Sequence, residues 1–231
     1  MSFISIPLKV IRMSEIKVVT NMLKTNDLLT VQNKALLKEK GIYVINLMSS
    51  PGSGKTSILE KVISRLKNEV RMAVIEGDLY TSKDAERIEA QGVPVVQINT
   101  GGACHLDAQM IRNAMEALNL DAIDLLIIEN VGNLVCPAEF DIGEDMRITV
   151  LSTPEGNDKP LKYPLMFEKS SAVVLNKVDL VEYTNFSREE FYKDIKALNA
   201  NAKVFETACL KDLGIDEFSQ WLKNILNENR R

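Results

Sequence analysis

Hydrophobic and polar positions along the chain follow two alternating rhythms. Short, nearly continuous apolar runs of buried-strand length recur at Ile42-Tyr43-Val44-Ile45-Asn46-Leu47-Met48, Arg71 to Glu76, Val93 to Ile98, Leu125-Leu126-Ile127-Ile128, Ile148 to Leu151, Ala172 to Leu175 and Lys203 to Phe205. Between them lie stretches with helical spacing: Thr56 to Leu66, Ser82 to Gln91, Leu106 to Leu118, a segment opened by the capping box Ser187-Arg188-Glu189-Glu190, and Ile215 to Leu226. Repeated strand, helix, strand units predict an α/β fold, a doubly wound and mostly parallel sheet with helices on both faces. In such sheets ligands sit at the carboxyl ends of the strands. The run Leu125 to Ile128 is apolar throughout and predicts a central strand covered on both sides. Ser14 to Lys40 carries Ile16, Val19, Leu23, Leu28, Val31 and Leu36 among lysines and asparagines, which predicts one or two helices, packed on the domain or reaching for a partner. The expected organisation is an N-terminal helical extension over residues 1–40 and one large domain over 41–231. Thr153 to Pro164, rich in proline and glycine, reads as the one long loop.

Composition narrows the class without identifying the chemistry. A chain of 231 residues, 45% hydrophobic and 26% charged, is long enough to bury a full core without disulfide or metal staples. A formal net charge of −4 argues against general binding to nucleic acid or to an anionic membrane. No apolar stretch approaches the roughly 20 residues that span a bilayer, and Met1 to Arg12 lack the long apolar stretch of a secretion leader. Three cysteines without such a leader point to free thiols in a reducing compartment, the cytoplasm.

The first chemical signal directly follows the first apolar run. Ser49-Ser50-Pro51-Gly52-Ser53-Gly54-Lys55-Thr56 is a glycine-rich turn between a strand and a helix, the P-loop arrangement that cradles a nucleoside triphosphate. Gly52, Ser53 and Gly54 offer backbone N–H groups to phosphate oxygens, Lys55 reaches the β and γ phosphates, Thr56 supplies a hydroxyl to Mg²⁺, and Ser57 continues the helix. The positive end of that helix faces the anion. Ser49 stands where the common pattern has glycine. Two strand ends add carboxylates. Glu129, closing the apolar run and followed by Gly132, has the spacing of a Mg²⁺-organising acid and a γ-phosphate-sensing amide, or of a simple acid-x-x-Gly turn. Asp78, after Met72 to Ile75, points into the same crevice near the metal or the attacking water, or else caps the turn before Ser82.

A second strand ends in Asn176-Lys177-Val178-Asp179, about 120 residues beyond the phosphate turn, the spacing of a guanine-reading Asn-Lys-x-Asp segment. Asp179 would accept from the N1–H and 2-amino groups of guanine. Adenine has neither donor and would leave a buried carboxylate unpaired, a discrimination on the order of 10⁴-fold. Asn176 would brace neighbouring loops, Lys177 would lie along the ring, and Thr207-Ala208-Cys209 would place backbone groups near the guanine oxygen. A kinase acting with ATP on the same fold is disfavoured by these residues.

Sulfur and imidazole also gather at the strand ends. Cys104-His105 and Cys136 fall in loops that open on the same face of the sheet. Two thiolates and one imidazole suit Zn²⁺ or Ni²⁺ and suit Mg²⁺ or Ca²⁺ poorly, with a fourth position for water or a second subunit. The alternative is that both cysteines are small buried hydrophobes and His105 a neighbour of a helix cap.

Together, Ser49 to Thr56, Glu76-Gly77-Asp78-Leu79 with Ser82-Lys83-Asp84-Ala85, Gly102-Ala103-Cys104-His105-Leu106-Asp107, and Glu129-Asn130-Val131-Gly132-Asn133-Leu134-Val135-Cys136-Pro137 closely resemble the HypB family, the hydrogenase nickel-incorporation GTPases of the SIMIBI class. The resemblance runs from about residue 20 to the C-terminus. It implies a slow, Mg²⁺-dependent GTPase, a metallochaperone for inserting Ni²⁺ into the large subunit of [NiFe]-hydrogenase, whose GTP or GDP state gates a homodimer. The residue readings above give Lys55, Asp78, Glu129 and Gly132 to hydrolysis and Thr56, Asp78 and Glu129 to Mg²⁺; the resemblance assigns Cys104, His105 and Cys136 to a Ni²⁺ or Zn²⁺ site at the dimer interface. It also places Asp158-Lys159-Pro160-Leu161-Lys162-Tyr163-Pro164 near nucleotide and partner subunit. No cysteine precedes Cys104, so the Cys-x-x-Cys-Gly-Cys motif of some members is absent, and nickel is expected to pass through the interface site or come from a HypA-type partner. The urease accessory GTPases, similar in the P-loop and Asn-Lys-x-Asp segments, carry a Cys-Pro-His motif that is absent here. The other alternative is a passive nickel or zinc dimer held together by nucleotide.

Overall fold

The structure, a computed structural model, describes the backbone of residues 12–229 and side chains from Lys24 onward. The leader reading of the first residues and the side chains of Ile16, Val19 and Leu23 lie outside the described residues.

Among the described residues seven strands form one sheet: β1 (Tyr43–Ser49), β2 (Met72–Asp78), β3 (Val95–Asn99), β4 (Leu125–Glu129), β5 (Met146–Ser152), β6 (Ala172–Asn176) and β7 (Lys203–Glu206). Their order is β3-β2-β4-β1-β5-β6-β7, and every neighbouring pair is parallel. The fully buried pattern of β4 is that of an interior parallel strand. Strand order reverses around β1, so a crevice opens at the carboxyl ends of β1, β4 and β5.

The helices are α1 (Arg12–Glu39), α2 (Lys55–Leu66), α3 (Lys83–Glu89), α4 (Ala108–Met115), α5 (Cys136–Glu139), α6 (Lys159–Lys162), α7 (Pro164–Glu168), α8 (Arg188–Leu198) and α9 (Ile215–Asn229). Alternation along the strands divides the core. On one face Ile45, Leu47, Val74 and Ile127 meet Ile58, Val62 and Ile63 of α2 and Phe218 and Leu222 of α9. On the other face Val44, Ile75 and Leu126 meet Leu37 of α1 and Ile111 and Met115 of α4, while Met48, Leu151 and Val173 meet Phe167 and Phe191. The N-terminal segment is thus one helix seated beside α4. No helix among the described residues is long and apolar enough to cross a membrane.

Two readings need correcting. Thr153 to Pro164 is not a long loop: a 3₁₀ turn at Thr153–Glu155 opens on a complete capping box from Ser152, α6 follows, and Pro164 starts α7. Each proline sits in the first turn of a helix, where its missing N–H costs no bond, so it starts helix rather than ending it. The helix expected over Leu106 to Leu118 is only Ala108–Met115. Asp107 caps it by accepting from Met110 N–H at 2.8 Å.

Candidate functional site

The turn from β1 to α2 is shaped by its glycines. Gly54 has φ +98°, a conformation that L side chains rarely adopt, and a Cβ there would lie 2.4 Å from Asn176 Nδ2. That atom donates to Ser53 O at 2.9 Å, which ties the base-reading segment to the phosphate turn. Lys55, buried at the start of α2, donates to Ser49 Oγ at 2.8 Å, and Ser49 passes its own hydrogen to Ser50 O. Sequence reasoning counted Ser49 only as a departure from the pattern; here it supplies the lysine with an acceptor.

Thr56 Oγ1 donates to Glu129 Oε1 at 2.8 Å. Glu129 lies in register with Glu76 on β2, and both are 2% exposed. Burial, then the neighbouring carboxylate, pushes the Glu76 carboxyl far above its ordinary value. Burial likewise raises Glu129, while the ammonium of Lys55 pulls it down. Each glutamate has a buried Oε2 with no hydrogen-bond partner among the described residues. A pair of buried acids with unpartnered oxygens beside a threonine hydroxyl is the donor set of a hard divalent cation, and Mg²⁺ fits it. Glu76 was not singled out as a site residue. Its signal was register, because the ends of β2 and β4 lie side by side. Asp78, at the end of β2, turns back and accepts from the N–H groups of Tyr80 and Thr81 at 2.8 and 2.9 Å. In this conformation Asp78 organises its own loop.

Asn176 also accepts from Thr207 Oγ1 at 3.1 Å, so it ties the end of β6 to the phosphate turn and to the segment after β7. Lys177, at φ +58°, donates to Gly52 O at 2.7 Å. Asp179 is half-buried, and its carboxylate makes no hydrogen bond among the described residues. The structure departs from expectation at Thr207 and Ala208. Their N–H groups are already donated to the Leu175 and Leu213 carbonyls, because the chain continues the strand ladder and then closes a turn. A base-facing amide in this loop must come from beyond Ala208.

The two cysteines and the histidine converge. Cys104 Sγ lies 2.9 Å from Cys136 Sγ and 3.7 Å from His105 Nδ1, and ligand atoms of all three lie within 4.8 Å of one another. This excludes the buried-hydrophobe reading: Cys104 is exposed and Cys136 partly so. His105 stacks on Phe140 at 3.9 Å, and its burial favours the neutral imidazole. Contact with Cys104, then burial, holds the Cys136 thiol above its ordinary value. Soft sulfur and imidazole donors within reach of one point fit Ni²⁺ or Zn²⁺.

One short span of chain links the two centres. Gly132 lies against the phosphate turn so closely that a Cβ would come within 3.0 Å of Pro51 Cα. The next residue, Asn133, donates to the carbonyl of Cys104 at 3.3 Å, and Cys136 opens α5 just beyond. Glu155 is a further contact that sequence reasoning missed. It caps the 3₁₀ turn at Ser152 and accepts from Ser50 of the phosphate turn.

An all-parallel sheet that reverses around a P-loop strand, with Asn-Lys-x-Asp braced against the phosphate turn, defines a P-loop protein of the GTPase fold. Residues 43–206 match the nucleotide-binding domain described as CobW/HypB/UreG, and the chain belongs to that family. It is 47% identical over 212 residues to the hydrogenase maturation factor HypB of Escherichia coli K12, covering 92% of this chain and 72% of that protein. It is 48% identical over 197 residues to the hydrogenase/urease maturation factor HypB of Helicobacter hepaticus, covering 84% and 81%. The crystal structure of Helicobacter pylori HypB in complex with nickel superposes with a TM-score of 0.84 at 42% identity, covering 90% of this chain and 97% of that one.

Proposed function

We propose that this chain is a GTP-hydrolysing nickel metallochaperone for hydrogenase maturation, acting in the cytoplasm as a homodimer whose nucleotide state gates the Cys104, His105 and Cys136 site. The observation that carries the reading is the junction at Gly132: one turn presses on Pro51, and its continuation bonds Cys104 and bears Cys136. Relatives named as hydrogenase maturation factors and a nickel-bound neighbour support the cargo. In this reading residues 41–231 are the G domain and residues 1–40 a helical extension seated on it.

Gly52, Ser53, Gly54, Lys55, Thr56 and Ser57 hold the phosphates, and Asp179, Asn176 and Lys177 select guanine, with Thr207 and Ala208 shaping the wall. Thr56, Glu129 and Asp78 would hold Mg²⁺, with Glu76 behind them, and the ion would supply positive charge to the phosphate oxygens. The Gly132 amide senses the γ-phosphate, so its loss moves Cys136 relative to Cys104 and His105. Nickel then meets two cluster geometries and binds them unequally, which is the only way a nucleotide state can drive its release. With no arginine finger assigned, hydrolysis is slow until a partner contributes. The hydrogenase large subunit receives the metal and a HypA-type protein exchanges it. Titrating Ni²⁺ into the GDP-bound and non-hydrolysable-GTP-bound protein tests the gate; equal affinities refute it. Lys55→Ala separates a working switch from a passive dimer, since a passive store still supports maturation when nickel is plentiful.

A further inference from the structure

The N-terminal helix carries three buried polar side chains, Asn26, Thr30 and Asn33, which are 8%, 6% and 0% exposed and spaced to share one face. A helix that needed only to pack would place apolar groups there, as α1 does at Leu37. These three side chains instead bond the main chain of two distant segments. Asn26 Oδ1 accepts from Ala108 N–H at 2.9 Å, and its Nδ2 donates to the Asp141 carbonyl at 2.9 Å. Thr30 Oγ1 donates to the same Asp141 carbonyl at 2.6 Å, and Asn33 Nδ2 donates to the Ala108 carbonyl at 2.8 Å.

Both segments carry residues of the thiol and imidazole cluster. Ala108 opens α4 three residues after His105, and Asp141 closes the turn after α5, whose first residue is Cys136. One carboxamide on a third element therefore spans the two segments whose separation sets the Sγ to Sγ distance. We propose that Asn26 is a positioning residue for the metal cluster: its two hydrogen bonds, reinforced by Thr30 on one side and Asn33 on the other, fix the spacing between the Cys104–His105 and Cys136 segments. The inference rests on the metal reading of that cluster. Outer-shell groups of this kind act by holding the ligands in place before the metal arrives. It also gives the N-terminal helix a function, as a strut behind the site.

The test is a Ni²⁺ titration of the full chain, followed by thiolate-to-nickel charge-transfer absorption and by competition with a chromophoric chelator, with thermal unfolding measured in parallel. Asn26→Leu removes both bonds. Asn26→Asp keeps an acceptor for Ala108 N–H and, combined with Thr30→Val, frees Asp141; it serves if the leucine variant does not fold. Leu37→Ala loosens the packing of α1 in the apolar core while leaving all four of these hydrogen bonds in place. Asn26→Leu is expected to weaken nickel binding about tenfold and to shift the absorption band, while Leu37→Ala stays within about twofold of wild type despite a lower melting temperature. Wild-type affinity and spectrum in the Asn26 variants, or an equal loss in Leu37→Ala, overturns the inference alone. A wild-type chain that titrates like Cys136→Ala overturns the metal reading and the inference with it.

Discussion

Replacing Glu76 with glutamine should remove a pH-dependent burden on the metal-free fold. Glu76 and Glu129 lie in register on β2 and β4, each 2% exposed, and burial with mutual repulsion holds the pair above the ordinary carboxylate range. The folded pair therefore keeps a proton that the unfolded chain releases near pH 4.3. Where the native state binds the extra proton, stability falls as pH rises, by about 1.4 kcal/mol per unit and about 3 to 4 kcal/mol between pH 4.3 and 7. Glutamine has the same shape and no proton to hold, so Glu76→Gln should flatten that slope. It should leave the apoprotein roughly 2 to 3 kcal/mol more stable at pH 7.5, the remainder being lost to burying an amide. Urea unfolding in chelator without nucleotide measures this through the only tryptophan, Trp221, which packs 5.0 Å from Phe205 in the core. Wild-type stability that is flat or rising from pH 5 to 7.5, or a variant with the wild-type slope, would refute the reasoning.

Gly54→Ala forces a side chain into a left-handed turn and against Asn176 Nδ2, so affinity for a fluorescent GDP analogue should fall at least about tenfold. Asn176→Ala leaves the buried Thr207 hydroxyl and the Ser53 carbonyl without their partner and should destabilise the fold by about 1 to 3 kcal/mol in urea unfolding. Asp179→Asn should shift preference from guanine to xanthine nucleotides, measured by competition; unchanged GTP binding removes Asp179 from base reading.

Periodicity carried most of the fold because strands covered on both faces must be largely apolar: β4 and β6 are buried along their whole length, while the edge strands β3 and β7 keep apolar residues among Gln97, Asn99, Lys203 and Glu206. Strand ends were less legible. The second strand was read as Arg71 to Glu76, yet the ladder runs on through Gly77 and Asp78, since pairing with β3 does not depend on side-chain polarity. Proline misled between Thr153 and Pro164 because a helix start and a loop use the same residue. The P-loop and the Asn-Lys-x-Asp segment were visible because their chemistry is local in sequence, and Cys104 and Cys136, 32 residues apart, because both follow strands that end on one face of the sheet. Glu76 opposite Glu129, and Asn26 bridging Ala108 to Asp141, depend on strand register and on a helix packed across the domain, which one chain read in order does not display.

The serine at the head of the phosphate turn changes how the lysine can meet an anion. Lys55 donates to Ser49, and Ser49 in turn to Ser50, so the ammonium has a protein acceptor that a phosphate oxygen must displace. Ligand entry then becomes an exchange of partners, and an anion wins the lysine only if its other oxygens also satisfy the surrounding amides. Small inorganic anions meet few of those amides and a triphosphate meets many, so a single hydroxyl raises the threshold for occupancy by the wrong guest.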